Sequence, residues 1–84
     1  MKRIAYSKEA LRTLRRIPSN AAANIREKIE LYATTPGALA NKVVRLQGMS
    51  GYFRLRVGDW RVIFTENAEI VAIIKVGARG SVDE

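Results

Sequence analysis

Residues 52–65 read Tyr-Phe-Arg-Leu-Arg-Val-Gly-Asp-Trp-Arg-Val-Ile-Phe-Thr, and this stretch decides the fold. Two runs of strand-forming residues flank Gly58-Asp59, the pattern of a β-hairpin with a two-residue turn. Such a turn makes Val57 and Trp60 cross-strand partners on one face. Side chains alternate along a strand. Phe53, Leu55, Val57, Trp60, Val62 and Phe64 therefore share one face, and Tyr52, Arg54, Arg56, Arg61, Ile63 and Thr65 share the other. The first face is apolar throughout. The second gathers three arginines, with Arg56 directly opposite Arg61. Like charges so placed destabilise a hairpin by up to roughly 1 kcal/mol. A fold has no need of that cost, whereas an anionic partner offsets it.

Upstream of the hairpin, residues 2–6 form a short strand. Ser7 offers an N-cap. Leu11, Leu14 and Ile17 follow at helical spacing until Pro18 stops the helix. Arg12, Arg15 and Arg16 lie off that stripe and should be exposed. Ser19 or Asn20 can cap a second helix, whose apolar face is Ala22, Ile25, Ile29 and Tyr32 or Ala33. Thr34-Thr35-Pro36-Gly37 ends it, and residues 38–42 read as a connection. Val43-Val44-Arg45-Leu46 is a short strand, broken by Gly48 and Gly51.

Downstream, Asn67-Ala68 mark a second turn. Ile70 to Val76 is an apolar run with one lysine, suited to the middle of a sheet. Gly77 to Glu84 reads as an irregular tail. The order is β-α-α-β-β-β-β. It predicts an α+β fold in which an N-terminal strand and two helices pack on one face of a small, mainly antiparallel, four- to five-stranded twisted sheet. Residues 1–84 are expected to form one domain. The helices cover the apolar face, so the arginine face stays open.

Composition narrows the chemistry. The chain carries 15 Lys plus Arg against 8 Asp plus Glu, a net charge of +7, and ten of the cations are arginines. Arginine presents a planar fork suited to phosphate, where lysine is a point charge. This balance favours nucleic acid, an anionic surface or an acidic protein as partner. There is no cysteine and no histidine, which removes disulfides, thiolate metal sites, and both the commonest general base and the commonest metal ligand. The carboxylates are scattered, and Glu27 and Glu30 read as a solvated helix face. No metal and no cofactor is implied. The N-terminus lacks an apolar signal-peptide core, and no apolar run is long enough for a membrane span. A cytoplasmic protein is expected.

The arginine face suits a phosphodiester. Guanidinium groups stabilise the extra negative charge of a pentacovalent transition state. On RNA the nucleophile is available in the substrate's own 2′-hydroxyl. Arginine is a poor proton shuttle, and Tyr52, on the same face by parity, is a candidate acid or base. Trp60 and Phe64 share the parity of Phe53 and Leu55 and read as core.

Leu46-Gln47-Gly48 followed by Gly51-Tyr52-Phe53-Arg54-Leu55-Arg56-Val57-Gly58-Asp59-Trp60-Arg61-Val62-Ile63-Phe64 resembles the L-x-G…YRxRxGxYR core of the RelE/ParE toxin superfamily. The resemblance covers nearly the whole chain and implies the strand–helix–helix–sheet order read above. It implies a toxin of a type II toxin–antitoxin system. RelE-like members cut messenger RNA in the ribosomal A site without metal, through the 2′-hydroxyl, and ParE-like members inhibit DNA gyrase. By resemblance, Arg54 and Arg56 match the basic positions of the catalytic strand, Arg61 the arginine of the next strand, and Arg79 the arginine after the last strand. The tyrosine that many RelE-like members carry near the C-terminus corresponds to a place at or near Asp83. A carboxylate there cannot stack on a base and repels phosphate. The resemblance further implies a cognate antitoxin, assembled with the toxin in a heterotetramer or larger complex. It leaves two other readings open, a ParE-like gyrase inhibitor and a weakened toxin retained for antitoxin binding.

Overall fold

The computed structural model describes residues 1–80; the position at Asp83 lies outside the described residues. Strand β1 spans Arg3–Tyr6, helix α1 Lys8–Arg16 and helix α2 Ser19–Thr34. A 3-10 helix, α3, covers Pro36–Lys42. The strands β2 (Val43–Arg45), β3 (Phe53–Val57), β4 (Trp60–Glu66) and β5 (Ile70–Ala78) follow. They form one five-stranded sheet in the order β1-β5-β4-β3-β2. β1 runs parallel to β5 and every other pairing is antiparallel. The expected α+β architecture is present, with helices on one face.

The hairpin register is the one its turn dictates: Val57 pairs with Trp60, Arg56 with Arg61 and Leu55 with Val62. Gly58 has φ +58°, and Asp59 does not have a positive φ. That is the signature of a type II′ turn, with glycine at the first central position. The turn's twist matches that of the strands it joins.

The core is built on the apolar face that this register creates. Leu55, Val57, Val62, Phe64, Val71, Ile73 and Val76 are buried there against Ala10 and Leu14 of α1 and Ile25, Ile29, Tyr32 and Ala33 of α2. Phe64 is the largest fully buried side chain. Its ring lies 5.0 Å from that of Tyr32 and 5.5 Å from that of Phe53. Truncating such a residue to alanine costs about 3–5 kcal/mol.

Ser7 caps α1 as its sequence position suggests. Its hydroxyl accepts from the Ala10 N–H at 3.0 Å and donates to the Ile74 carbonyl at 2.7 Å. Ile74 sits at an irregularity. Ile63 pairs with Lys75, but the next β4 residue, Phe64, pairs with Ile73, so Ile74 has no partner. Such a bulge reverses the parity of everything beyond it. Without it, Lys75 would follow Val71 and Ile73 into the core. With it, Val76 is buried and Lys75 joins the open face, and Ser7 satisfies the carbonyl at the bulge.

Three local expectations are corrected. The residue at the N-cap of α2 is Pro18, with no side-chain cap bond, and not Ser19 or Asn20. Proline forces the preceding Ile17 into an extended conformation, so the helix starts at the next residue and Ser19 is already inside it. Residues 38–42 are not an irregular connection but most of α3, which buries Leu39. The tail is not irregular from Gly77, because β5 continues to Ala78 through pairing with Arg61 and Trp60. Ala10 is also more deeply buried on α1 than Leu11, which is half-exposed.

At the far end of β4, Glu66 accepts from Lys2 Nζ at 2.8 Å and from the Tyr32 hydroxyl at 2.6 Å. Burial pushes the Glu66 carboxyl up, but the two hydrogen bonds and the Lys2 charge outweigh it and hold the group below its ordinary 4.5. Burial, then the bond to Glu66 and its charge, raise the Tyr32 hydroxyl above the ordinary tyrosine range.

Two outcomes follow for stability. Gly58→Ala, which places a side chain at a positive φ, lowers stability by roughly 1–3 kcal/mol, seen as a lower urea midpoint with an unchanged slope. Glu66 has a folded-state value below its unfolded one, so its contribution is full above about pH 4.5 and is lost as the pH falls through the folded value. Urea titrations between pH 3 and 7 should therefore show an acid loss of stability that is smaller in Glu66→Gln.

Candidate nucleic-acid interface

The face that the helices leave open can be read row by row across the strands. Val44, Arg54, Ile63 and Lys75 lie in one row, and Arg56, Arg61 and Gly77 in the next. A groove of about 180 Å³ runs along this face, lined by Asn41, Lys42, Val44, Arg54, Arg56 and Arg61. It is smaller than the roughly 300–1,000 Å³ of a typical small-molecule site. A groove of that size with four cations suits a passing segment of anionic chain better than an enclosed metabolite.

Each cation has a distinct setting. Arg56 is exposed, and Arg54 and Arg61 are half-buried. The Arg61 guanidinium turns back over the hairpin, and Nη1 donates to the carbonyls of Gly58 and Trp60, both at 2.9 Å. Those carbonyl dipoles lean Arg61 toward the turn and moderate its repulsion with Arg56. The remaining donors of the fork are available to a ligand. Lys42 enters from the end of α3, one residue before the Val43–Leu55 pair, which puts it level with Arg56.

Not all of the open face is polar. Ile63 and Leu46 are buried in a small second cluster with Tyr52 packed against it. Tyr52 is thus a packing aromatic beside the groove and does not line it. Arg79 also stays outside the groove lining. It is exposed, and its N–H donates to the Asp59 carbonyl at 2.7 Å, beside the hairpin turn. Of the residues expected from sequence, the fold brings together Arg54, Arg56 and Arg61. Lys42 and Asn41 were not foreseen, because nothing local to them signals a site. A second concavity, of about 500 Å³, opens at the opposite end of the sheet beside Lys2, Arg3 and Glu69. Its mixed charges do not favour phosphate.

Residues 4–82 match the family described as the ParE toxin of the type II toxin–antitoxin system parDE. The chain belongs to that toxin family. Solved structures share its fold. The archaeal RelE–RelB complex from Pyrococcus horikoshii matches with TM-score 0.78 and 24% identity, over 96% of this chain and 98% of that one. The intact RelBE complex from Escherichia coli matches with TM-score 0.76 and 19% identity over 100% of both chains. The YoeB dimer from Staphylococcus aureus matches with TM-score 0.74 and 18% identity, over 96% of this chain and 98% of that one. No curated protein sequence matches the chain significantly. Among the described residues of the toxin, no helix is long and apolar enough to cross a membrane.

The opposed arginines imply a trade between stability and binding. Arg56→Thr removes the like-charge pair and installs a good strand former. It should raise stability by up to about 1 kcal/mol. It should also reduce by about 1 the salt slope of binding to a short 2′-O-methyl oligonucleotide. Urea titration and fluorescence anisotropy against KCl measure the two; a less stable variant would contradict the account.

Proposed function

We propose that this toxin is a ribosome-dependent messenger RNA endonuclease, kept inactive by a cognate antitoxin. The observation that carries the reading is the groove with Lys42, Arg54, Arg56 and Arg61 around one strip of the open face. The arginines bind the non-bridging oxygens of the scissile phosphate and stabilise the charge gained in the transition state. The RNA's 2′-oxygen attacks the adjacent phosphorus and its proton passes to water. The bond from phosphorus to the 5′-oxygen breaks, which leaves a 2′,3′-cyclic phosphate and a free 5′-hydroxyl.

The leaving oxygen needs a proton. Arginine holds its protons too tightly to supply one, with a pKa above about 12. An ammonium gives up a proton more readily than a guanidinium, and Lys42, the one lysine of the groove lining, donates as a general acid to the 5′-oxygen and is reprotonated from solvent. The structures similar to this chain that hold RelE together with RelB support an antitoxin as partner. An acidic segment is electrostatically complementary to the open face.

A second reading is inhibition of DNA gyrase, favoured by the family match itself, which is to a ParE toxin. Primer extension on messenger from a translation reaction, beside a gyrase supercoiling assay, separates the two. The endonuclease reading expects cuts at A-site codons and unaffected supercoiling. Uncut messenger with inhibited supercoiling would replace it with the second. Arg61→Ala should slow cutting by roughly 100-fold or more. Lys42→Ala should slow it by about 10²–10⁴. If Lys42 protonates the leaving group, a substrate with sulfur at the scissile 5′ position is cut by Lys42→Ala at the wild-type rate.

A further inference from the structure

Helix α1 carries a second cationic surface that the groove does not use. Lys8, Arg12, Arg15 and Arg16 are all exposed. Their spacings of three and four residues place them on one side of the helix. The opposite side carries Ala10 and Leu14, which are buried against the sheet. The stripe therefore points directly away from the sheet, and the groove opens from the sheet's other face. The two basic surfaces have the whole protein between them.

Helix formation does not account for the stripe. Like charges three and four residues apart weaken a helix, and a solvated helix face ordinarily interleaves glutamates with its cations. Here the one carboxylate of α1 is Glu9, in the first turn. Arg15 and Arg16 in the last turn gain from the helix dipole, but Lys8 in the first turn does not. None of the four forms an ion pair with a described residue. Neighbouring α2 alternates its charges, with Arg26, Glu27, Lys28 and Glu30 in sequence, so the one-sided charge belongs to α1 alone.

We infer that the exposed side of α1 is a docking surface for the phosphate backbone of a nucleic-acid duplex, separate from the groove. A rigid row of cations along about 13 Å of helix fits a rigid row of phosphates. The helix has no aromatic residue, so it offers no ring for base stacking. The ring of Tyr6, two residues before the helix, is capped by the Arg26 guanidinium at 5.2 Å. Contact is thus through charge, without base readout, and the protein binds two nucleic-acid segments on opposite faces. This does not depend on the chemistry of the groove.

The test uses a blunt 20-base-pair 2′-O-methyl RNA duplex and, separately, a short single strand of the same chemistry, each titrated by anisotropy across KCl concentrations. Arg12→Gln/Arg16→Gln should lower the slope of log affinity against log salt for the duplex by about 2. Its single-strand binding should stay at the wild-type value. Arg12→Lys/Arg16→Lys keeps the charge and should retain the duplex slope. Circular dichroism and urea titration establish that the variants fold. An unchanged duplex slope in the folded glutamine variant, or no duplex binding by the wild type at 50 mM KCl, overturns the inference. So does a loss of duplex binding produced only by Arg54→Gln/Arg56→Gln.

Discussion

The β3–β4 register, pinned at Gly58, is the constraint on which the rest of the molecule depends. The residue at the first turn position has φ +58°, a conformation that glycine adopts without cost. The two-residue turn then leaves no freedom in the pairing. A slip of β3 by one residue would turn that strand over against β4. Arg54 and Arg56 would enter the core, and Leu55 and Val57 would meet water. The Phe53 ring stacked on Phe64, with Tyr32 tilted against Phe64, adds a second lock, because these contacts join the hairpin to α2. The bulge at Ile74 extends the same division of faces to β5, where it keeps Lys75 out of the core.

That division also segregates charge. On the open face, cations stand beside one another near the hairpin turn. Glu66 and Glu69 lie at the other end of β4 and in the turn beyond it, and Glu66 is held there by Lys2 and Tyr32. An ordinary surface intersperses its signs. This one instead keeps Arg56 against Arg61, an arrangement less stable than its neutral counterpart. The turn carbonyls of Gly58 and Trp60 soften the repulsion by drawing Arg61 aside. Stability given up at one spot for the sake of binding is a recurrent mark of functional surfaces. The groove beside these residues is where a polyanion would recover the loss.

Features that rest on local chemistry were legible in the sequence. The hairpin faces follow from period-two alternation about a recognisable turn, the α1 cap from Ser7, and the α2 face from the spacing of Ile25, Ile29 and Tyr32. Features that rest on non-local pairing were not. Ile70 to Val76 is nearly all apolar, so no alternation marks Ile74 as the bulge. A short 3-10 helix has no periodicity to reveal it, and α3 shows only a proline, a glycine and one buried leucine. Lys42 becomes a groove residue because β2 pairs with β3. Glu66 gains its partners from residues 34 and 64 positions away. Tyr52 was legible as to face but not as to packing partners, because the small cluster with Leu46 and Ile63 forms only when the loop at 46–52 folds back. There the Leu46 N–H donates to the Tyr52 carbonyl at 3.0 Å.

The central claim is that the sheet face left uncovered by the helices holds a phosphodiester among Lys42, Arg54, Arg56 and Arg61. The most direct measurement is a nuclear magnetic resonance titration of the isotopically labelled protein with an uncleavable 2′-O-methyl trinucleotide, which reads the arginine Nε–H signals. The account predicts saturable shifts at Arg54, Arg56 and Arg61 that fade as salt is added, with Arg26, stacked on Tyr6, unmoved. Saturable shifts that spare those three arginines and fall elsewhere on the surface would contradict it.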